Sequence, residues 1–164
     1  MVRSVSELTS ADLPLRQLFA QLALTLAGYF GASIVIVATA GDAGIHVEYA
    51  LEDGSERPPD DLTFEPDAVT SAVIGTFAPI LYRRADEWSP GITAMTARHS
   101  AIESALFVPI LFVGRCIGVL SLQSPERDAF DARDAHLLEA CALYVGAWLY
   151  SQRGREEALA GSRA

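Results

Sequence analysis

The sequence predicts one domain of mixed α and β structure, with helices near both ends and a sheet between them. Three observations carry that reading. An apolar stripe at helical spacing runs through Leu15, Leu18, Leu22, Leu26 and Tyr29, widened by Phe19 and Phe30. A second stripe runs through Leu137, Leu138, Cys141, Tyr144, Val145, Trp148 and Leu149. Between them lie two pairs of apolar or alternating runs joined by short glycine-containing links, the pattern of β-hairpins. The length of 164 residues suits a single domain. A chain of this size buries roughly 68–70% of its unfolded surface and needs no disulfide or metal to hold together.

Each element has a local reason. Asp12 and Pro14 mark a helix start, because Asp caps free amides and Pro is tolerated in a first turn. Gly28 and Gly31 end that helix. Residues 33–40 read as a strand and residues 41–44 as a turn. Ile45, Val47, Tyr49 and Leu51 then alternate with His46, Glu48, Ala50 and Glu52, a strand with one polar face. Residues 53–66 have loop composition. Asp67 caps a helix reaching Thr76, and a short strand spans 79–82. Residues 83–102 are broken by Pro90 and Gly91, with a helical turn expected around 93–99. Residues 105–113 and 116–122 are apolar strands about a tight turn at Gly114 and Arg115. Asp131, helped by Asp134, caps the last helix. Residues 1–11 are expected as an N-terminal tail, 12–152 as the domain, and 153–164 as a charged C-terminal tail, the stretch from Ser151 either extending the last helix or fraying.

Composition excludes several classes. Twenty-one acidic against 12 basic residues give a net charge of −9, which opposes nucleic acid, where affinity rests on Lys and Arg releasing counterions. Cys116 and Cys141 show no metal-ligand or redox spacing, the usage of a reducing, cytoplasmic setting. Residues 17–41 carry no charge, but Gly28, Gly31 and the β-branched run 34–37 break any spanning helix, so no membrane segment is predicted. Phosphate-loop, zinc-protease, nucleophile-elbow and dinucleotide fingerprints are missing.

The second hairpin, together with the start of the last helix, resembles a known family. Ser104 to Ile110, Gly114, Ile117 to Leu122, Phe130, Asp131, Asp134, Leu137 and Leu138 together resemble the C-terminal half of a GAF domain. The resemblance implies an α/β (α+β) fold of GAF/PAS type. Its central antiparallel sheet of five to six strands carries the terminal helices on one face and a loop or short-helix lid on the other. Pro109 suits a bend or bulge, Gly118 a close backbone approach, and Phe130 a place beneath the last helix. These residues specify a fold more than a ligand.

Subclass signatures are mostly lacking. Of the cyclic-nucleotide-binding signature only Phe130 and Asp134 match, with Ala135 where the family has Glu. Bilin attachment and methionine sulfoxide reduction in this family use cysteines ahead of the second hairpin, where this chain has none. His99 stands at the offset of an axial haem ligand in some sensor kinases of the family, but without their flanking prolines.

The resemblance therefore implies a non-catalytic sensory module that binds an unidentified small molecule. The candidate ligand-binding set is Trp88, Ile92, Met95, Thr96 and His99 in the lid, with Phe107 and Ser121 as the pocket floor. The last helix is apolar on more than one side, so a homodimer through the terminal helices is expected. The alternatives are a ligand-free dimerisation module and a haem-bearing redox or gas sensor.

Overall fold

A computed structural model describes residues 1–11, 13–42, 44–58, 68–87 and 102–161. Its helices are α1 (Val2–Ser10), α2 (Leu15–Phe30), α3 (Ala68–Thr76) and α4 (Ala132–Gly161). Its strands are β1 (Ile34–Gly41), β2 (Gly44–Glu52), β3 (Ser55–Arg57), β4 (Ile80–Tyr82), β5 (Ser104–Phe112) and β6 (Arg115–Ser124). They form one sheet of six strands in the order β3-β2-β1-β6-β5-β4, antiparallel throughout. The α+β class and the sheet of five to six strands expected from the sequence are what the chain adopts.

The differences from expectation have physical causes. Residues 1–11, expected as an N-terminal tail, hold the helix α1, whose Val5 is wholly buried. α2 starts at Leu15 with Pro14 in the N-cap place, while Asp12 lies outside the described residues. It runs through Gly28 and stops at Gly31, whose φ of 65° is the left-handed turn that ends a helix. Tyr29, a member of the predicted apolar stripe, is exposed because the helix reaches its last turn there. β3 lies within the stretch of loop composition; its polar residues pair with the end of β2. Ala50 and Glu52, expected on a solvated face, are buried because both faces of the sheet are covered at that end. The turn between β5 and β6 falls at Val113 and Gly114, one residue earlier than expected, with φ of 47° and 70°. α4 continues to Gly161, the helical one of the two outcomes expected for the C-terminal tail.

The cap of α4 is as predicted. Asp131 accepts hydrogen bonds from the amides of Arg133 and Asp134, and Asp134 accepts one from the amide of Asp131. These donors hold the Asp131 carboxyl below its ordinary pKa.

Two apolar layers cover the sheet. On one side Val35, Val37, Leu106, Val108, Ile110, Leu120 and Leu122 meet α2 and α4, with Phe19 set edge-on to Trp148 at 5.7 Å. On the other side Ile34, Ile36, Ala50, Ala105, Phe107 and Val119 meet Val69 and Val73 of α3 and Ile102. The separation follows from the period-two alternation of β1, β5 and β6. Pro109 stays in register with Val119, and the bulge follows one residue later, between Ile110 and Leu111.

Close packing rests on two missing side chains. A Cβ at Gly118 would overlap the Ala38 carbonyl oxygen, and one at Gly146 would overlap that of Leu111. Gly146 thus lets α4 sit down on β5. Gly118→Ala and Gly146→Ala are each expected to destabilise the fold by about 1–3 kcal/mol, the usual cost of overpacking. Gly28→Ala, with open space around its Cβ, is expected to stabilise by about 0.5–1 kcal/mol as a helix-interior change. Urea unfolding of the three variants checks both signs.

Candidate functional site

On the α3 side of the sheet, polar groups of the central strands enter an apolar layer. Register sets them in two transverse rows. One row runs Arg57, Ala50, Ile36, Ser121, Phe107 and Ile80; the next runs Glu52, Ile34, Gln123, Ala105 and Tyr82. Paired residues of antiparallel strands point to the same side, so Ser121 stands between Ile36 and Phe107 on the face that α3 covers.

Ser121 and Gln123 are both buried, as is Thr70 on α3. Among the described residues, the Ser121 hydroxyl has no hydrogen-bond partner. An unsatisfied buried hydroxyl costs about 1–3 kcal/mol. At the β2–β3 edge the charges are matched: Arg57 donates to the Glu52 carboxylate, which is 8% exposed. Ser104, by contrast, is fully used, donating to the Glu126 carbonyl at 2.7 Å.

Of the seven candidate ligand residues, the structure brings Phe107 and Ser121 together as direct cross-strand neighbours. Trp88, Ile92, Met95, Thr96 and His99 lie outside the described residues, so the lid and the haem ligand are not located by it. Sequence reasoning does not single out Gln123, Glu52 and Arg57, which lie in the same two rows. Their signal is the phase of β6: Ser121 and Gln123 are two apart and so share a face. Among the described residues, no three of His, Cys, Asp or Glu gather to hold a metal ion.

Both thiols sit in settings that disfavour a nucleophile. Cys141 is completely buried in the α4 layer, and that burial pushes its pKa up to about 11 against a small opposing pull from the N-terminal ammonium. Cys116 is half-buried at the start of β6 and donates to the Gly118 carbonyl at 3.1 Å; burial raises its pKa also. Elsewhere, a cleft at the start of α4 is lined by Tyr29, Asp131, Arg133, Asp134, His136 and Leu137. Its carboxylates are engaged as helix caps, and the His136 ring bonds the Ala132 carbonyl.

Comparison with known proteins bears on what this arrangement is. The family model of the GAF domain matches residues 14–148. The chain belongs to the GAF domain family. No curated protein matches it. Among solved structures, it is similar to the GAF domain of an Acinetobacter phosphoenolpyruvate-protein phosphotransferase. That pair is 11% identical over 93% of this chain and 92% of the other, with a TM-score of 0.73. It is also similar to a free methionine-R-sulfoxide reductase from Neisseria meningitidis, solved with its substrate. There the identity is 20% over 94% and 89% of the chains, with a TM-score of 0.74. A segment of a methyl-accepting chemotaxis protein is 15% identical over 90% and 95%, with a TM-score of 0.70. These likenesses show the GAF fold, and proteins that share it include both signalling components and enzymes.

The thiol environments give a pH test. The folded pKa of Cys141 lies above its unfolded value, and the thiol is neutral when protonated. Its contribution to stability is therefore present below about pH 8.5 and falls as pH rises toward 11. Iodoacetamide at pH 8 is expected to label Cys116 slowly and Cys141 only after unfolding, read by mass spectrometry. Replacing Cys141 by Ala should flatten the alkaline loss of stability.

Proposed function

We propose that this GAF domain is a non-catalytic regulatory module that holds a small molecule over Phe107 and Ser121. The observation that supports the reading is the buried Ser121 hydroxyl, without a partner among the described residues, set in an apolar floor. A polar group that costs stability when unmatched is stabilised by a ligand that hydrogen-bonds it. The ligand is then small and largely apolar, with one hydrogen-bonding group over β6. Protonated, buried thiols support the non-catalytic half, since thiol chemistry needs the thiolate.

The path outward runs through β5. Phe107 faces the ligand side, while its neighbours Leu106 and Val108 face the layer under α4. A ligand that prefers one position of β5 shifts the population of α4 positions by its differential affinity. α4 continues from Gly146 to Gly161, so a small tilt at Gly146 becomes a larger displacement near Gly161. No described helix is long and apolar enough to cross a membrane. That fits a cytoplasmic module, as do the two cysteines, free among the described residues. The acidic balance argues against nucleic acid as partner.

A second reading, a dimerisation module that carries no ligand, is favoured by the outward face of α4. Leu143 and Tyr150 are each 58% exposed and Tyr144 41%, with Ala140 and Ala147 along the same side. The two readings separate in one set of measurements. Native mass spectrometry of the purified chain is expected to show a small-molecule adduct that is absent from Ser121→Leu. Wild type, and not the variant, should gain melting temperature with that molecule in a concentration-dependent way. No adduct, with Ser121→Leu at least as stable as wild type, would leave the dimerisation module as the better reading.

A further inference from the structure

The β2–β3 hairpin turns on Asp53 and Gly54, the one Asp-Gly pair in the sequence. Both residues have positive φ, 47° and 77°, as in the mirror-image turns that join two strands through two residues. Both are exposed, and the space where a Gly54 Cβ would stand is open. The Asp53 amide donates to the Ser33 carbonyl at 2.8 Å. Its carboxyl makes no hydrogen bond or ion pair among the described residues. The other described aspartates differ. Asp131 and Asp134 have carboxyls committed to amides at the start of α4. Asp128 shares the left-handed backbone, but Ala129 follows it, and Asp42 and Asp86 precede Ala43 and Glu87. At Asp53 an uncommitted carboxyl stands beside an amide nitrogen that no side chain shields.

We propose that Asp53–Gly54 is a site of spontaneous covalent modification, at which aspartate converts to isoaspartate and releases β3 from the rim of the α3 layer. The Gly54 nitrogen attacks the Asp53 Cγ. The N–Cγ bond forms, the Cγ–OH bond breaks, and the amide proton leaves with the hydroxyl as water. Water then adds to the Asp53 main-chain carbonyl carbon of the five-membered imide, and the bond from that carbon to the Gly54 nitrogen breaks. The chain now runs through Cγ, and the former main-chain carbonyl is a free carboxyl. Water is the one co-reactant, and nothing is oxidised or reduced.

β3 restrains the turn through three register pairs and the Arg57–Glu52 ion pair, so ring closure waits on local opening of this edge strand. The product cannot return to the same ladder. Turn length sets hairpin register, and isoaspartate adds one carbon to the main chain of a two-residue turn. Arg57 then leaves its place opposite Ala50, and Glu52, 8% exposed, is parted from it. Parting a buried carboxylate from its cation is strongly destabilising. The modification therefore acts on the α3 layer as well as on the turn, and it stands independently of the ligand reading.

The sequence contains no Asn, so deamidation of Asn contributes no isoaspartate and the product is read without background from that source. The full chain is incubated for weeks at neutral pH and physiological temperature. Isoaspartate is then measured by methyl transfer with an isoaspartate-specific carboxyl methyltransferase and located by peptide mapping. Wild type is expected to gain methyl-accepting sites with time, in the peptide that holds Asp53, with an imide lighter by one water as the intermediate. Asp53→Glu should stay at its starting level, and Asp53→Asn, whose ring closure expels ammonia, should convert faster than wild type. Aged wild type should also lose melting temperature and exchange its Ser55–Arg57 amides faster, while aged Asp53→Glu changes in neither. Aged wild type without isoaspartate at Asp53 overturns the proposal, as does an Asp53→Asn variant that remains unconverted, since the turn then forbids ring closure. Isoaspartate at Asp53 with unchanged amide exchange in β3 overturns the release of that strand.

Discussion

The rest of the structure hangs on a sheet whose middle strands are buried on both faces. β5 is covered from Ser104 to Ile110 and β6 from Gly118 to Ser124. In such a place water does not satisfy polar groups, so each one needs a partner or carries a cost. The helical layer meets α2 and α4 with the aliphatic Val35, Val37, Leu106, Val108, Ile110, Leu120 and Leu122; its tight fit comes from Gly118 and Gly146, and its buried Trp148 Nε1 has no partner among the described residues. The α3 layer takes its polar groups on the central strands themselves. It admits Ser121, Gln123 and the Glu52–Arg57 pair among Ile34, Ile36 and Phe107. That asymmetry between two faces of one sheet is the physical basis of the functional reading.

In the proposed reading, the same asymmetry lets one domain take up a ligand on one side and respond on the other. Because neighbouring residues of β5 point to opposite layers, a force on Phe107 is felt by Leu106 and Val108. The missing Cβ of Gly146 seats α4 against the Leu111 carbonyl without a compliant side chain between them. Two-layer coupling of this kind needs no long pathway, only a strand shared by both cores. α1 and the outer half of α4 then decide what the helical face does with the displacement. Val5 is the one fully buried side chain of α1.

Much of this is legible in the residues. Apolar or alternating runs joined by short glycine-containing links locate both hairpins, and Asp131 with Asp134, three residues on, announces the start of α4. Gly118 is readable as a close approach because a strand has no local reason to hold a glycine. The misses at α1 and β3 share a cause: tertiary contact overrides composition. α1 is made of weak helix formers and is helical because Val5 has a groove to fill. β3 is polar and is a strand because the end of β2 offers it a ladder. α4 outruns its apolar stripe because residues 151–161 hold no proline and are rich in Arg, Glu and Ala. For the candidate site, the place of Phe107 and Ser121 on the two central strands is recognisable. The unmatched state of the hydroxyl is not, since it depends on what every surrounding element fails to offer.

The central claim is that Ser121 holds its place for a guest rather than for the protein's own fold. A high-resolution crystal structure of the purified, unsupplemented protein tests it most directly. The account predicts non-protein density over Phe107, within hydrogen-bonding distance of the Ser121 Oγ. A Ser121 Oγ bonded to another side chain of this chain, with the apolar floor closed over it, would contradict it.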